Sequence, residues 1–353
     1  MRSDTSRVTG RAAELAPPGA PAAAPGAKDR GRAVLAALWE VRELSTAVIL
    51  LLEILFFAWY LWPEAGRPHP FLNFPNALLI LKYSSIYGIA AVGAAIVIIS
   101  GGIDLSPGAV IALAGVVCGA LFVGSGVPLP AAMLAGILTG GAAGALAAVL
   151  IVTVRLPPFI ATLGVMGIAR GAAFIITEGR YFDLSARLVG GWRPLGIPAD
   201  WVPPLVMLAL AVVFQILMTG FQWGRAVFAV GGNETAALFS GIAVGRVKAS
   251  VYVLSGLLAA VAGVVLAVVQ GQGKADLATG YELDIIASAV VGGASLSGGR
   301  GSVMGAVLGT LIFGVLRNAL PQIPGATFYD RLIVGLVVIV IVVMDQLLLK
   351  RRK

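Results

Sequence analysis

Three ionisable side chains stand apart in this 353-residue chain because they lie within or beside long apolar runs: Glu53, Asp104 and Arg170. Glu53 and Arg170 either pair with each other or face a dimer contact or a polar route through the membrane. Asp104 sits where one apolar run breaks and the next begins. Its carboxylate either meets a solute hydroxyl or caps the helix that starts near Ser106. Three such groups are few for proton or sodium coupling, which draws on several ionisable or ion-coordinating side chains near the midplane. The single histidine, His69, and the single cysteine, Cys118, supply no disulfide framework, no metal ligand set and no usual general base. No GxxxxGK[ST] pattern occurs, so the chain has no phosphate-binding loop of its own.

A contact of another kind is written in residues 231–248, GGNETAALFSGIAVGRVK. This polar stretch separates two apolar runs. Gly232 and Asn233 open it, and the Asn233 side chain can accept from a free N–H at a helix start. Glu234 offers a charge to a basic partner. Ala236 and Ala237 are small enough for close approach. Ser240, Gly241 and Ile242 close the segment, with Gly241 in the left-handed cap. The expectation is one short helix over 233–242 that docks on a partner, and a bulky Ala237→Trp change is expected to block that docking. The alternative is an ordinary inter-helix loop.

These residues need a scaffold, and composition sets its class. The chain is 59% hydrophobic and 12% charged, with a mean hydropathy of +0.96. Soluble domains carry about twice that charge. No charged residue lies between Leu105 and Val154, a stretch well beyond the roughly 20 residues that cross a bilayer once. The fold class is all-α: a polytopic helical membrane protein with about ten segments, near 44–62, 78–100, 106–124, 130–153, 157–177, 202–220, 249–269, 283–297, 301–317 and 331–348. The eighth is short and Ser/Gly-rich, so it either re-enters or breaks. Residues 1–43 are Ala/Pro-rich and expected to be a disordered tail. The transmembrane domain takes 44–349, and 350–353 form a basic end.

With the N-terminus inside, sixteen Lys and Arg fall on that side and eight outside, with Arg170 within a span. This asymmetry places both termini in the cytoplasm. It also accounts for the net charge of +8 without nucleic acid.

Two stretches echo each other 191 residues apart: VIISGGIDLSPG at 97–108 and SAVVGGASLSGG at 288–299. Glycine-interrupted segments at matching positions of two halves point to a transport route. Gly101, Gly102, Asp104 and Ser106 in the first copy, and Gly292, Gly293 and Ser297 in the second, are the candidates for these helix breaks. Gly102 and Gly293 are expected to sit where the helices interrupt, and a Cβ there would clash if the backbone takes positive φ. Phe159, Thr162 and Met166 share one helical face at i, i+3, i+7 spacing, and with Arg170 they are candidates to line the route. Gly140, Gly141 and Gly144 form a small face for close helix packing. The aromatic and charged loop 178–201 suits either a soluble partner or the membrane interface.

Four elements in order, GGIDLSPGAVIAL, PPFIATLGVMGIARG, GGNETAALFSGIAVGRVK and GYELDIIASAVVGGASLSGGRG, resemble the sugar-type permease subunits of bacterial ATP-binding-cassette importers, of the ribose, xylose, arabinose and galactose kind. The resemblance covers nearly everything after residue 44. It implies an inner-membrane permease that is not itself an enzyme. Partners implied are a second permease copy, a cytoplasmic ATPase with two nucleotide-binding domains, and a periplasmic or lipid-anchored solute-binding protein. Membrane lipid surrounds the chain, ATP belongs to the ATPase, and no cofactor belongs to this chain. On the same scaffold the solute is alternatively a nucleoside, inositol or a branched-chain amino acid. An ion-coupled carrier is the rival from another class.

Overall fold

The computed structural model describes residues 42–63, 68–188, 192–329 and single positions between 332 and 343. The tail up to residue 41, most of the tenth apolar run and the basic end 350–353 lie outside the described residues. Long apolar runs without alternation become helices, because a helix satisfies its own backbone in lipid. They are α1 (Arg42–Tyr60), α2 (Phe74–Ile99), α3 (Pro107–Gly119), α4 (Leu129–Ala148), α5 (Pro158–Thr177) and α6 (Val202–Gly220). Then follow α7 (Gln222–Gly232), α8 (Glu234–Phe239), α9 (Val244–Gln270), α10 (Tyr281–Val291) and α11 (Val303–Ala319). Single π-helical turns extend α3 and α4, over Ala120–Gly124 and Val149–Thr153.

Among the described residues, 8 helical stretches are long and apolar enough to cross a membrane. They correspond to the first seven expected runs and the ninth. The eighth run is α10, with 11 residues. At about 1.5 Å per residue it reaches roughly 16 Å, about half of the ~30 Å hydrocarbon core. The chain enters α10 through residues 271–280, which hold a short strand and turns in place of helix.

Burial separates central from peripheral helices. α2 and α9 are enclosed along most of their length, with Ile89, Ile96, Ile99, Val264 and Leu266 in the core. α1 turns Leu51, Leu52, Leu55 and Phe56 outward, as a lipid-facing helix does. α9 packs against α2, α3 and α4. Its contact with α4 is close because Gly136, Gly140 and Gly144 repeat every fourth residue. A Cβ on Gly140 would strike the Gly256 carbonyl, and one on Gly144 would lie 2.8 Å from Val253 Cα. Gly141 meets only the side chain of Leu257, so the close face is 136/140/144 and not 140/141/144.

The two ends of the bundle are distinct. At one end β1 (Tyr181–Asp183) pairs antiparallel with β2 (Gln272–Lys274), joining the chain after α5 to the chain after α9. Asp183 accepts from the backbone N–H and hydroxyl of Ser185 at 3.0 and 2.5 Å. The hydroxyl bond, first, holds its carboxyl below the usual range. Lys82 near this end bridges to Asp200 at 2.6 Å. At the other end lie the break after α2, the helices α7 and α8, and the loop 292–302.

Candidate coupling site and glycine junction

α8 begins as its sequence dictates. The Asn233 side chain accepts from the Ala236 N–H at 2.9 Å, and Gly241 follows the helix at φ +81. The exposed side chains differ from expectation. Ala237 is 4% exposed and belongs to the main core. Ala237→Trp would therefore disrupt this chain's own packing, and it does not isolate docking. Leu238 and Phe239 project outward, at 60% and 85% exposure. Glu234 pairs with Lys248 of α9 at 2.6 Å, so its charge already has an internal partner. α7, which lies between the sixth and seventh expected runs, is anchored by the Trp223 indole N–H donating to Ser250 at 2.8 Å. Arg155, Arg225, Arg246 and Arg300 are exposed in the loops and helix ends of the same side.

Against the end of α7, just before α8, the two echoed stretches meet. α2 ends at Ile99, and the Gly102 N–H returns to the Val97 carbonyl at 3.0 Å. α10 ends at Val291, and the Ala294 N–H returns to the Ala289 carbonyl at 2.9 Å. The left-handed residues of these two caps are Gly101 (φ +82) and Gly293 (φ +97). Positive φ thus falls on Gly293 in the second copy, and on Gly101 in place of Gly102 in the first. The equivalent caps are therefore offset by one residue from the sequence echo. What Gly102 lacks room for is a side chain: its Cβ would strike the Tyr252 hydroxyl. The copies then diverge. The first restarts a helix at Pro107, the second only at Val303, with the Ser302 hydroxyl accepting from the Gly305 N–H at 3.2 Å. Gly292 presses on the Gly305 carbonyl, closing the α10–α11 turn.

Gly231, the penultimate residue of α7, fits between the two copies. A Cβ there would overlap the Ile99 carbonyl and sit 2.7 Å from the Gly299 N. The Gly299 N–H itself donates to Ile99 O at 2.8 Å. A Cβ on Gly298 would come within 3.0 Å of Gly101 Cα. Backbones far apart in sequence, at Ile99, Gly231 and Gly299, thus touch with no side chain between them, two residues before the α8 cap. Ser297 is exposed at the edge of this loop and shares a 2.9 Å hydroxyl contact with Ser295.

Asp104 forms a second buried node. It is 4% exposed, and Oδ1 accepts from the Ser106 N–H at 2.9 Å and hydroxyl at 2.7 Å. Oδ2 accepts from Ser255 of α9 at 2.7 Å. The carboxylate holds Ser106, the residue before α3, and the Ser106 side chain makes no cap bond to the helix itself. Of its two sequence readings the structural one describes these contacts. Thr162 joins the same node, accepting from the Leu105 N–H at 3.2 Å. Tyr252 and Ser255 were invisible in the sequence, since they look like any other small or aromatic residue in an apolar helix.

The remaining candidates do not form one lining. Thr162 is fully buried, while Phe159 on the same helix is 52% exposed on the outer surface. Met166 is partly buried against the core. Arg170 does not pair with Glu53: α1 packs on α11, and Arg170 Nη1 donates to the Ala275 and Leu277 carbonyls at 2.6 and 2.7 Å. These carbonyls belong to the non-helical entry to α10, where Ala278 is buried at φ +56. Charge-assisted bonds are worth about 1.5–3 kcal/mol each. Arg170→Met is expected to lower the melting temperature of the purified chain and raise amide exchange over 275–280, with Arg170→Lys restoring part of both. Unchanged exchange would remove Arg170 as the holder of this segment. Among the described residues, no group of three His, Cys, Asp or Glu is placed to hold a metal.

Bilayer-length helices with outward apolar faces, a half-helix entered from extended chain, and a short capped helix beside a backbone junction define an integral membrane transport protein. The chain belongs to the family described as the branched-chain amino acid transport system / permease component, which matches residues 76–342. It is 38% identical over 281 residues to the ribose import permease protein of Bacillus subtilis, covering 78% of this chain and 86% of that one. To the ribose import permease protein of Escherichia coli strain K12 it is 35% identical over 324 residues, covering 90% and 97%. To the D-allose transport system permease protein of the same strain it is 36% identical over 286 residues, covering 80% and 87%. No solved structure is significantly similar to the chain.

Proposed function

We propose that this chain is the membrane subunit of an ATP-binding-cassette importer for a monosaccharide, worked by a separate ATPase. The observation that carries the reading is α8: a six-residue capped helix presenting Leu238 and Phe239 outward and following directly on α7, whose Gly231 lies in the junction of the two echoed stretches. A push on α8 passes through Gly231 to the end of α2 and to the 292–302 loop without a soft side chain in between. The similar proteins named as ribose and D-allose permeases support a sugar as the solute. The ATPase supplies two nucleotide-binding domains, a solute-binding protein delivers the sugar from outside, and a second copy of the chain completes the permease in the bacterial inner membrane.

The test is ATP hydrolysis in lipid nanodiscs. Hydrolysis stimulated by the solute-binding protein is expected only when chain, ATPase and binding protein are all present. Uptake of radiolabelled D-ribose by the chain alone, down a proton or sodium gradient, would assign it to the ion-coupled carriers instead. Topology is a second expectation. Reporter fusions after residues 43, 190, 235 and 353 are expected to read inside, outside, inside and inside, following the sixteen-to-eight basic asymmetry. An outside signal at 235 would put α8 on the wrong face for an ATPase.

A further inference from the structure

A cavity of about 450 Å³ opens between α2, α10 and α11. Tyr83 and Tyr87 of α2, Tyr281 and Asp284 of α10, and Arg317 of α11 form its walls. The Tyr87 and Tyr281 rings stack, with centroids 4.2 Å apart. Arg317 Nη2 donates to both carboxylate oxygens of Asp284 at 2.8 Å, and Nη1 donates to the Tyr87 hydroxyl at 3.1 Å. The charges of Asp284 and Arg317 thus balance each other. Two hydroxyls that line the same cavity stand out: Ser84 and Ser288, at 1% and 0% exposure. Neither has a hydrogen-bond partner among the described residues. Buried hydroxyls are almost always paired, so these two are poised for a ligand that brings its own polar groups.

We propose that this cavity is a binding site, within the permease itself, for a neutral polyhydroxylated solute of monosaccharide size. The proposal rests on the reading of the chain as a monosaccharide importer subunit. The volume suits a small ligand, for which sites span about 300–1,000 Å³. The electron-rich face of the Tyr83 ring, exposed at the rim, favours the polarised C–H face of a sugar, while Ser84 and Ser288 take its hydroxyls; the Tyr87 ring is held between Tyr281 and Arg317. A zwitterionic amino acid is disfavoured, because its charges would have to open the bidentate Asp284–Arg317 pair.

The experiment uses the full chain in nanodiscs and saturation-transfer NMR with D-ribose, D-allose and L-leucine as probes. Saturation of the aromatic protons is expected to reach the ring C–H protons of one or both sugars and not L-leucine. The double variant Ser84→Ala/Ser288→Ala is expected to weaken the sugar binding read by that transfer about 30-fold, the loss anticipated for two hydrogen bonds of about 1 kcal/mol each. In the complete transporter it is expected to lower sugar moved per ATP hydrolysed by a similar factor, with stimulated hydrolysis unchanged. Because neither hydroxyl bonds within the chain, a purely structural role predicts no loss of transfer. Tyr83→Leu, at the half-exposed rim, is expected to weaken transfer without touching the core. No transfer to either sugar, transfer to L-leucine, or equal transfer in wild type and double variant would overturn the site. If the wild-type transporter takes up neither sugar, the monosaccharide reading fails. If uptake is intact and indifferent to the double variant, only this site fails.

Discussion

Gly231→Ala is expected to abolish uptake and to cut the amount of folded chain in the membrane, while Gly232→Ala, one residue further along α7, leaves both at the wild-type level. Alanine favours a helix over glycine by up to about 1 kcal/mol, so propensity alone would make both changes neutral or helpful. The surroundings reverse the sign at one position. The new methyl at 231 would overlap the Ile99 carbonyl and crowd the Gly299 N–H that bonds to it, whereas nothing lies within 4 Å of one at 232. Overpacking costs typically about 1–3 kcal/mol, and here the backbone would have to move as well. Membrane abundance, melting temperature and uptake of the two variants, measured in parallel, decide the matter. Equal behaviour at 231 and 232 would show that the glycine junction is not a tight backbone contact.

The legible part of this protein was what apolar length and cap chemistry can encode. Seven runs and the ninth became bilayer-length helices because lipid leaves their backbones no other choice. The α8 cap was legible because Asn233 and Gly241 act within a few residues of themselves. Long-range placement was not. Ala237 and Phe239 lie two residues apart, and only the packing of α8 against the core makes one buried and the other exposed. Gly231 looked like one of 46 glycines; its role comes from backbones of α2 and the 292–302 loop that no local pattern reveals. The echo pointed to the right places but missed the register by one residue, since the cap follows where each helix ends and not the repeated letters. Arg170 drew attention as a charge in a span, yet its partners are carbonyls more than a hundred residues away, in the stretch between the seventh and eighth runs, a contact no local pattern reveals.

Phe239→Glu is expected to remove co-purification of the ATPase and lower uptake at least about 30-fold, the loss of a hot-spot contact worth about 2 kcal/mol or more. Membrane abundance is expected to stay normal, because Phe239 is 85% exposed and supports no core contact. Ala237→Trp, by contrast, is expected to reduce abundance itself. The chain also allows a direct probe. Its one cysteine, Cys118, is buried, so Phe239→Cys introduces a single reactive thiol for cross-linking to the ATPase. Normal ATPase binding and uptake with Glu at 239 would take α8 out of the coupling path.

The most direct measurement is uptake of radiolabelled D-ribose and D-allose into proteoliposomes that hold the chain and its ATPase, with the solute-binding protein outside and ATP enclosed. Accumulation of at least one of these sugars above the outside concentration is expected with ATP, none with ADP, and none when the ATPase is left out. Sugar accumulation without the ATPase, or no sugar accumulation with every component and ATP present, would contradict the account.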